Sequence, residues 1–145
     1  MTDCTPEKIK FPACKNRKVE SAFSGGDITS DGGSLLLRQA DRRLGLLRQV
    51  ADKLADPRRR SSCDHSLLSL LRQRVYGLAL GYEDLNDHDR LRIDPALQTA
   101  VERDTTLAGS ATLCRWENRA DQESAWNIHR VLLDQFVASF KTPPE

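Results

Sequence analysis

Three consecutive arginines, Arg58-Arg59-Arg60, stand in a short polar stretch, DPRRRSS, at residues 56–62. A guanidinium offers a planar fork of donors that matches phosphate oxygens, and such contacts give affinity without choice of sequence. Arg72 and Arg74 follow on a segment with helical spacing and complete a set suited to a polyanionic backbone. A second set lies in residues 104–119, DTTLAGSATLCRWENR. There, small polar residues precede Arg115, Asn118 and Arg119 on a short helix, an order that suits insertion into a DNA major groove. Each set has a plainer reading. The triple arginine serves equally as a solvated surface loop. In the second set Trp116 is expected in the core, and Glu117 would repel phosphate.

Other constellations carry less. Glu83, Asp84, Asp87, His88 and Asp89 form an oxygen-rich cluster, but the spacing is not that of a calcium loop, and Arg90 and Arg92 adjoin it. Loop capping and ion pairing account for it better than a metal. Cys4, Cys14, Cys63 and Cys114 are scattered. With His65 they lack the close pairs of a zinc site, so free thiols are expected. His65 has no nucleophile near it in sequence, and His129 lies beside an apolar stripe. Gly25-Gly26 and Gly32-Gly33 match neither glycine-rich nucleotide loop.

The elements that must position these residues read as mostly helical. Residues 1–16 hold two prolines and three lysines and are expected to be a flexible lead-in. Lys18 to Phe23 alternates as a strand. Ser24-Gly25-Gly26-Asp27 is turn chemistry, and Ile28-Thr29 would close a small hairpin. Ser30 or Asp31 is expected to cap a helix carrying Leu36, Ala40, Leu44 and Leu47, ended near Gly45. A shorter helix spans Leu47 to Leu54. Asp64 opens the clearest helix, with Leu68, Leu71, Val75, Leu78 and Ala79 inward and Arg72 and Arg74 outward. Gly77 within it suggests close packing against a neighbour. Asp94-Pro95 starts a helix to about Arg103, Ser110 another, and Asp121 caps the last, striped by Ala125, Ile128, Leu132, Phe136 and Phe140. Proline ends that helix before residues 142–145.

The 145 residues, 39% hydrophobic and 30% charged, suit one globular domain rather than a disordered chain. No apolar run approaches the ~20 residues of a membrane span, and the polar start is not a secretory signal, so a cytoplasmic address is expected. The net charge of +1 conceals an asymmetry: residues 31–80 carry ten basic and five acidic side chains, residues 81–145 seven and twelve. The basic half suits a polyanion and the acidic half does not.

Three stretches, VESAFSGGDITSDGGSLLLRQADRRLGLL, HSLLSLLRQRVYGLALGYEDLNDHDRLRIDPAL and SATLCRWENR, occur in order between Arg17 and about Lys141. Over that span the chain resembles the N-terminal region of bacterial DDE transposases of the insertion-sequence 1380 group. The resemblance implies an ancestry in DNA transposition. Full members hold two divalent metals on three carboxylates of a ribonuclease H-like sheet, and the metals activate water or a 3′-hydroxyl. The first of those carboxylates follows the matched region in the family. No Asp or Glu here matches a catalytic position, and strand candidates are too few for the sheet. Magnesium is therefore expected only for the full-length enzyme, and strand cleavage by this chain is not expected.

The expectation is thus a mainly α, single helical domain over residues 17–141 with a small N-terminal β-hairpin. The core is expected at Leu36, Leu37, Ala40, Leu44, Leu47, Leu68, Leu71, Val75, Leu78, Trp116, Ile128, Leu132 and Phe136. Arg58, Arg59, Arg60, Arg72 and Arg74 would meet DNA phosphates at transposon ends, with Arg115 and Arg119 as a second set. The competing expectation is a helical interaction module, self-associating or an inactive remnant, without DNA affinity. A stand-alone metal-dependent nuclease is the weakest reading.

Overall fold

A computed structural model describes residues 8–21 and 31–140. It is mainly helical with one N-terminal hairpin. The hairpin pairs β1 (Ile9–Cys14) with β2 (Arg17–Ser21), antiparallel, in the register Ile9↔Ser21, Phe11↔Val19 and Cys14↔Arg17. Lys15, at the turn, takes a left-handed φ of 51°. The hairpin thus begins inside the stretch expected to be a lead-in, and its second strand is the one expected first. The anticipated turn at Ser24–Asp27 and strand at Ile28-Thr29 lie outside the described residues. Pro12 is the physical reason. It interrupts the alternation Ile9-Lys10-Phe11, and the register slips between Phe11 and Cys14, as a bulge tolerates proline where a regular ladder does not.

Seven helices follow among the described residues: α1 (Gly33–Leu44), α2 (Leu46–Lys53), α3 (Leu67–Ala79), α4 (His88–Leu91), α5 (Pro95–Ala100), α6 (Ser110–Glu117) and α7 (Gln122–Ala138). Local chemistry sets most of their ends. Gly45 separates α1 from α2 at φ 65°, and its N–H donates to the Asp41 carbonyl at 2.7 Å. Ser66 caps α3, Asp94 caps α5 with Pro95 in the first turn, and Asp121 caps α7 by accepting from the Ser124 N–H at 2.8 Å. Asp31 does not cap α1. Its carboxylate accepts instead from the Tyr82 hydroxyl at 3.0 Å, and Gly32 stands at the N-cap without a side-chain bond. Helix α5 stops at Ala100, short of Arg103, where Glu102 turns the chain at φ 65°.

The main core joins α2, α3, α5 and α7 through Leu47, Val50, Leu71, Leu97, Val101 and Val131, with Leu107 from the loop before α6. A smaller cluster, Leu70, Ala108 and Leu113, seats α6 against α3. Of the expected core, Leu47 and Leu71 are buried, while Leu37, Leu68, Trp116 and Ile128 pack partly buried against it. Leu36, Ala40, Leu44, Val75, Leu78, Leu132 and Phe136 are exposed instead.

The reason is that the inward faces of α1 and α3 are partly polar. Helix α1 buries Ser34, Arg38 and Asp41. Helix α3 buries Leu70 and Leu71 but also Arg72, Gln73 and Tyr76. Arg72 donates from Nε to Asp41 at 2.9 Å and from Nη1 to Glu102 at 2.7 Å. Asp41 also accepts from the Tyr76 hydroxyl at 3.2 Å and the Leu47 N–H at 2.9 Å. Arg38 donates to the Pro12 carbonyl at 2.8 Å and the Ala13 carbonyl at 3.2 Å, tying the hairpin to α1. These partners offset the cost of burying the charges, whereas the buried Ser34 hydroxyl on the same face has no hydrogen-bond partner. Burial, then the Asp41 charge, pushes the Tyr76 hydroxyl far above the ordinary tyrosine range. Burial raises Glu102, but the hydrogen bond and charge of Arg72, with Arg42 and Arg38, outweigh it and hold the carboxyl below its usual value.

Candidate nucleic-acid interface

Helix α6 is fixed from three sides. The Gln73 amide clamps the backbone of Ala108, donating to its carbonyl at 2.8 Å and accepting from its N–H at 3.0 Å. Asp89 accepts from the Ser110 N–H at 2.9 Å and the Ser110 hydroxyl at 2.7 Å, holding the first turn. Leu113 is wholly buried. At the far end Glu117 pairs with Arg74 Nε. Asp84 likewise accepts from the Asn86 N–H at 2.9 Å. The acidic stretch 83–89 therefore contains caps, as its spacing suggested.

His88, from the same stretch, is completely buried. Gln73 Nε2 donates to its Nδ1 at 3.3 Å, which leaves the ring proton on Nε2. Burial foremost, then the charge of Arg74, lowers its pKa below the ordinary histidine value. The ring lies against Gly77, where a Cβ would stand 2.7 Å from His88 Cε1, so the close packing expected at Gly77 is present.

So anchored, α6 turns Ala111, Cys114, Arg115 and Asn118 to solvent, with Arg119 just beyond. Arg115 donates to the Thr112 hydroxyl at 3.3 Å within the helix. Arg58 lies opposite. Its fork donates to both Asp56 carboxylate oxygens at 2.7 Å, and Nη1 donates to the His65 carbonyl at 3.1 Å. One cavity of about 260 Å³ gathers Arg58, Arg115 and Arg119 with Ser62, His65 and Thr112. Arg58 and Arg115, 57 positions apart in the chain, thus meet at one place. Burial first, and then the charges of Arg103 and Arg58, hold His65 below the ordinary histidine value, against the pull of Asp64.

The seven arginines singled out in the sequence separate on this geometry. Arg115 and Arg119 are exposed beside the cavity, and Arg59 is exposed in the loop before it. The backbone of Arg60 begins a 3-10 turn, Arg60–Ser62, and its side chain lies outside the described residues. Arg58 forms part of the wall, with its charge balanced by Asp56. Arg72 is not on the outward face of α3: it is 6% exposed and held by two carboxylates. Arg74 is held by Glu117 and by the carbonyls of Tyr82 and Glu83 at 3.2 and 2.9 Å. Helical periodicity placed Arg72 outside because it scores a buried arginine as an exposed one, and its partners lie 30 and 31 residues away.

Residues 11–145 match the family Transposase DDE domain group 1. The chain belongs to this family of DDE transposases. Membership gives the protein a role in transposition. No curated protein and no solved structure matches the chain. The two metal ions of DDE chemistry find no fitting donor set among the described residues, where no three His, Cys, Asp or Glu side chains are grouped to hold an ion. The carboxylates have other work: Asp41 and Glu102 bind Arg72, Asp56 binds Arg58, and Asp84, Asp89, Asp94 and Asp121 hold helix or turn starts. Cys14, Cys63 and Cys114 are free thiols. Among the described residues no helix is long and apolar enough to cross a membrane.

Proposed function

We propose that this transposase chain is an N-terminal, non-catalytic part of a member of the insertion-sequence 1380 group, and that it binds or positions transposon-end DNA. The observation that carries the reading is the convergence of Arg58, Arg115 and Arg119 on one cavity beside a helix whose remaining faces are anchored. Arg115 and Arg119 lead the set, and Arg59 extends it along the loop. Arg72 and Arg74 shape the scaffold instead. A rigidly held short helix with an exposed face of small and cationic residues suits entry into a groove, and its arginines suit phosphate or guanine edges. Magnesium has no part in this binding step.

A gel shift of the purified chain against the element's terminal repeats, repeated across a salt series, tests it. Each phosphate contact contributes roughly 0.9 to the slope of log K against log salt. Arg115→Ala and Arg119→Ala should each weaken binding and flatten that slope by about one contact. Equal, negligible shift of every DNA at low salt would remove the reading.

A second reading, assembly, is favoured by α7. Trp126, Leu133, Phe136 and Val137 recur along one side of it, with Phe140 just past its end, exposed by 61, 50, 57, 40 and 43%. Trp126 stacks on His129, and Phe136 meets Phe140 edge to face, so the apolar surface is continued by aromatic pairs. The three aromatic side chains alone offer roughly 300 Å² per copy, taking about half of the 150–250 Å² each presents, and Leu132, Leu133 and Val137 enlarge the face. A standard interface needs about 800 Å² per partner, so the face supplies a substantial part of what a second copy of this helix would bury. In this reading the chain keeps an assembly surface, or is an inactive remnant, and DNA is not bound. Sedimentation separates the two: a discrete dimer without DNA affinity, returned to monomer by Leu133→Ser with Phe136→Ser, supports assembly.

A further inference from the structure

A second cavity adjoins the one lined by Arg58, Arg115 and Arg119. It is about 210 Å³ in volume and is walled by Leu54, Pro57, Leu67, Leu71, Ile128 and the ring of Trp116. Its rim is polar: Asp56, Arg74, Glu117, Arg119 and Ser124. Trp116 and Arg119 line both cavities. The structure therefore sets a guanidinium cluster and an apolar, aromatic-walled slot side by side, with one arginine and one indole shared.

A nucleotide has this pairing of properties. Its phosphate is an anion, and its base is a flat apolar ring system with donors and acceptors around the edge. We propose that the apolar cavity receives a single unstacked nucleobase of the bound DNA, with a flanking phosphate held by Arg115 and Arg119. The inference rests on the DNA-binding reading and names the part of the DNA that this site takes. The volume favours one small planar group, since pockets for drug-sized ligands run to roughly 300–1,000 Å³. An indole wall supplies the stacking surface that proteins use for extruded or single-stranded bases. Asp56 and Arg74 on the rim are already paired, and the Ser124 hydroxyl and the Arg119 N–H groups are left to meet donors and acceptors on a base edge. An apolar protein side chain would use the slot alone and leave Arg115, in the adjoining cavity, without a role.

The test is photocrosslinking of the full chain to terminal-repeat DNA carrying 5-iodouracil at one position at a time. A single position should crosslink to Trp116, identified by mass spectrometry, while its neighbours do not. Ala120 also lines the slot and is exposed, so Ala120→Phe should fill the mouth without removing a core side chain. That variant should lose the Trp116 crosslink at least tenfold while still shifting the duplex. Trp116→Leu is the weaker probe, because Trp116 packs against both core clusters. If the complex forms and Trp116 stays unlabelled at every position, or Ala120→Phe leaves the crosslink intact, the slot does not hold a base and the DNA-binding reading stands. If no DNA shifts at all, both fall.

Discussion

Replacing Arg72 with methionine separates a scaffold arginine from a DNA-binding one. The change keeps the aliphatic stem and removes the guanidinium. Asp41 would remain in the interior, its side chain 5% exposed, with only the Tyr76 hydroxyl and the Leu47 N–H as donors. Breaking a buried pair from one side costs ~3–5 kcal/mol, because the other charge stays buried and unmatched. Two features reduce that figure here. Asp41 keeps two hydrogen bonds, and Glu102, with 31% of its side chain exposed, keeps Arg38 and Arg42 at 3.6 and 3.5 Å. About 3 kcal/mol is the expected loss. With a urea slope of roughly 2 kcal/mol per molar, the unfolding midpoint should fall by about 1.5 M. Arg115→Met, on the exposed face of α6, should stay within ~0.5 kcal/mol of the parent. The DNA assay should give the reverse order. Folded Arg72→Met keeps the salt slope of the parent, and Arg115→Met loses about one contact. A midpoint shift below roughly 0.5 M at unchanged slope, or a lost phosphate contact in folded Arg72→Met, would show that this arginine faces solvent and would refute the network as described.

Further outcomes follow from the same contacts. Gly77→Ala should destabilise the chain by about 1–3 kcal/mol, read from thermal melting, because its Cβ would stand 2.7 Å from the fully buried His88 ring. Stability should fall as pH drops from about 6.5 through the depressed folded value of His88, since the unfolded chain takes up that proton first. Denaturant midpoints measured at successive pH values check it, and His88→Asn should reduce that limb, leaving the part due to His65. Glu102, also lowered, adds a further loss as pH falls below 4.5, and Glu102→Gln should remove it. Asp121→Ala should cost about 1 kcal/mol by freeing the Ser124 N–H at the start of α7, measured in urea.

The sequence by itself determined the helical class and most helix ends. Asp94-Pro95, Asp121 and Gly45 act through backbone groups at most a few residues away, so their types and order suffice. It also indicated Gly77 as a point of close approach, because a glycine inside a helix costs stability that something must offset. The hairpin was legible in kind and misplaced in position, since Pro12 hides the alternation of β1 and the bulge that accommodates it appears only once the strands pair. What the tertiary structure decided was which face of each helix is inside. Apolar spacing chose Leu36 and Leu44 on α1, yet the fold turns Arg38 and Asp41 inward, because Arg72, Glu102 and the hairpin carbonyls arrive from elsewhere to satisfy them. The same long-range pairing withdrew Arg72 and Arg74 from the expected DNA-facing set and brought Arg58 to Arg115 and Arg119. A charge's freedom to meet a ligand depends on the partners the fold has already given it, and those partners lie too far along the chain for any local pattern to reveal.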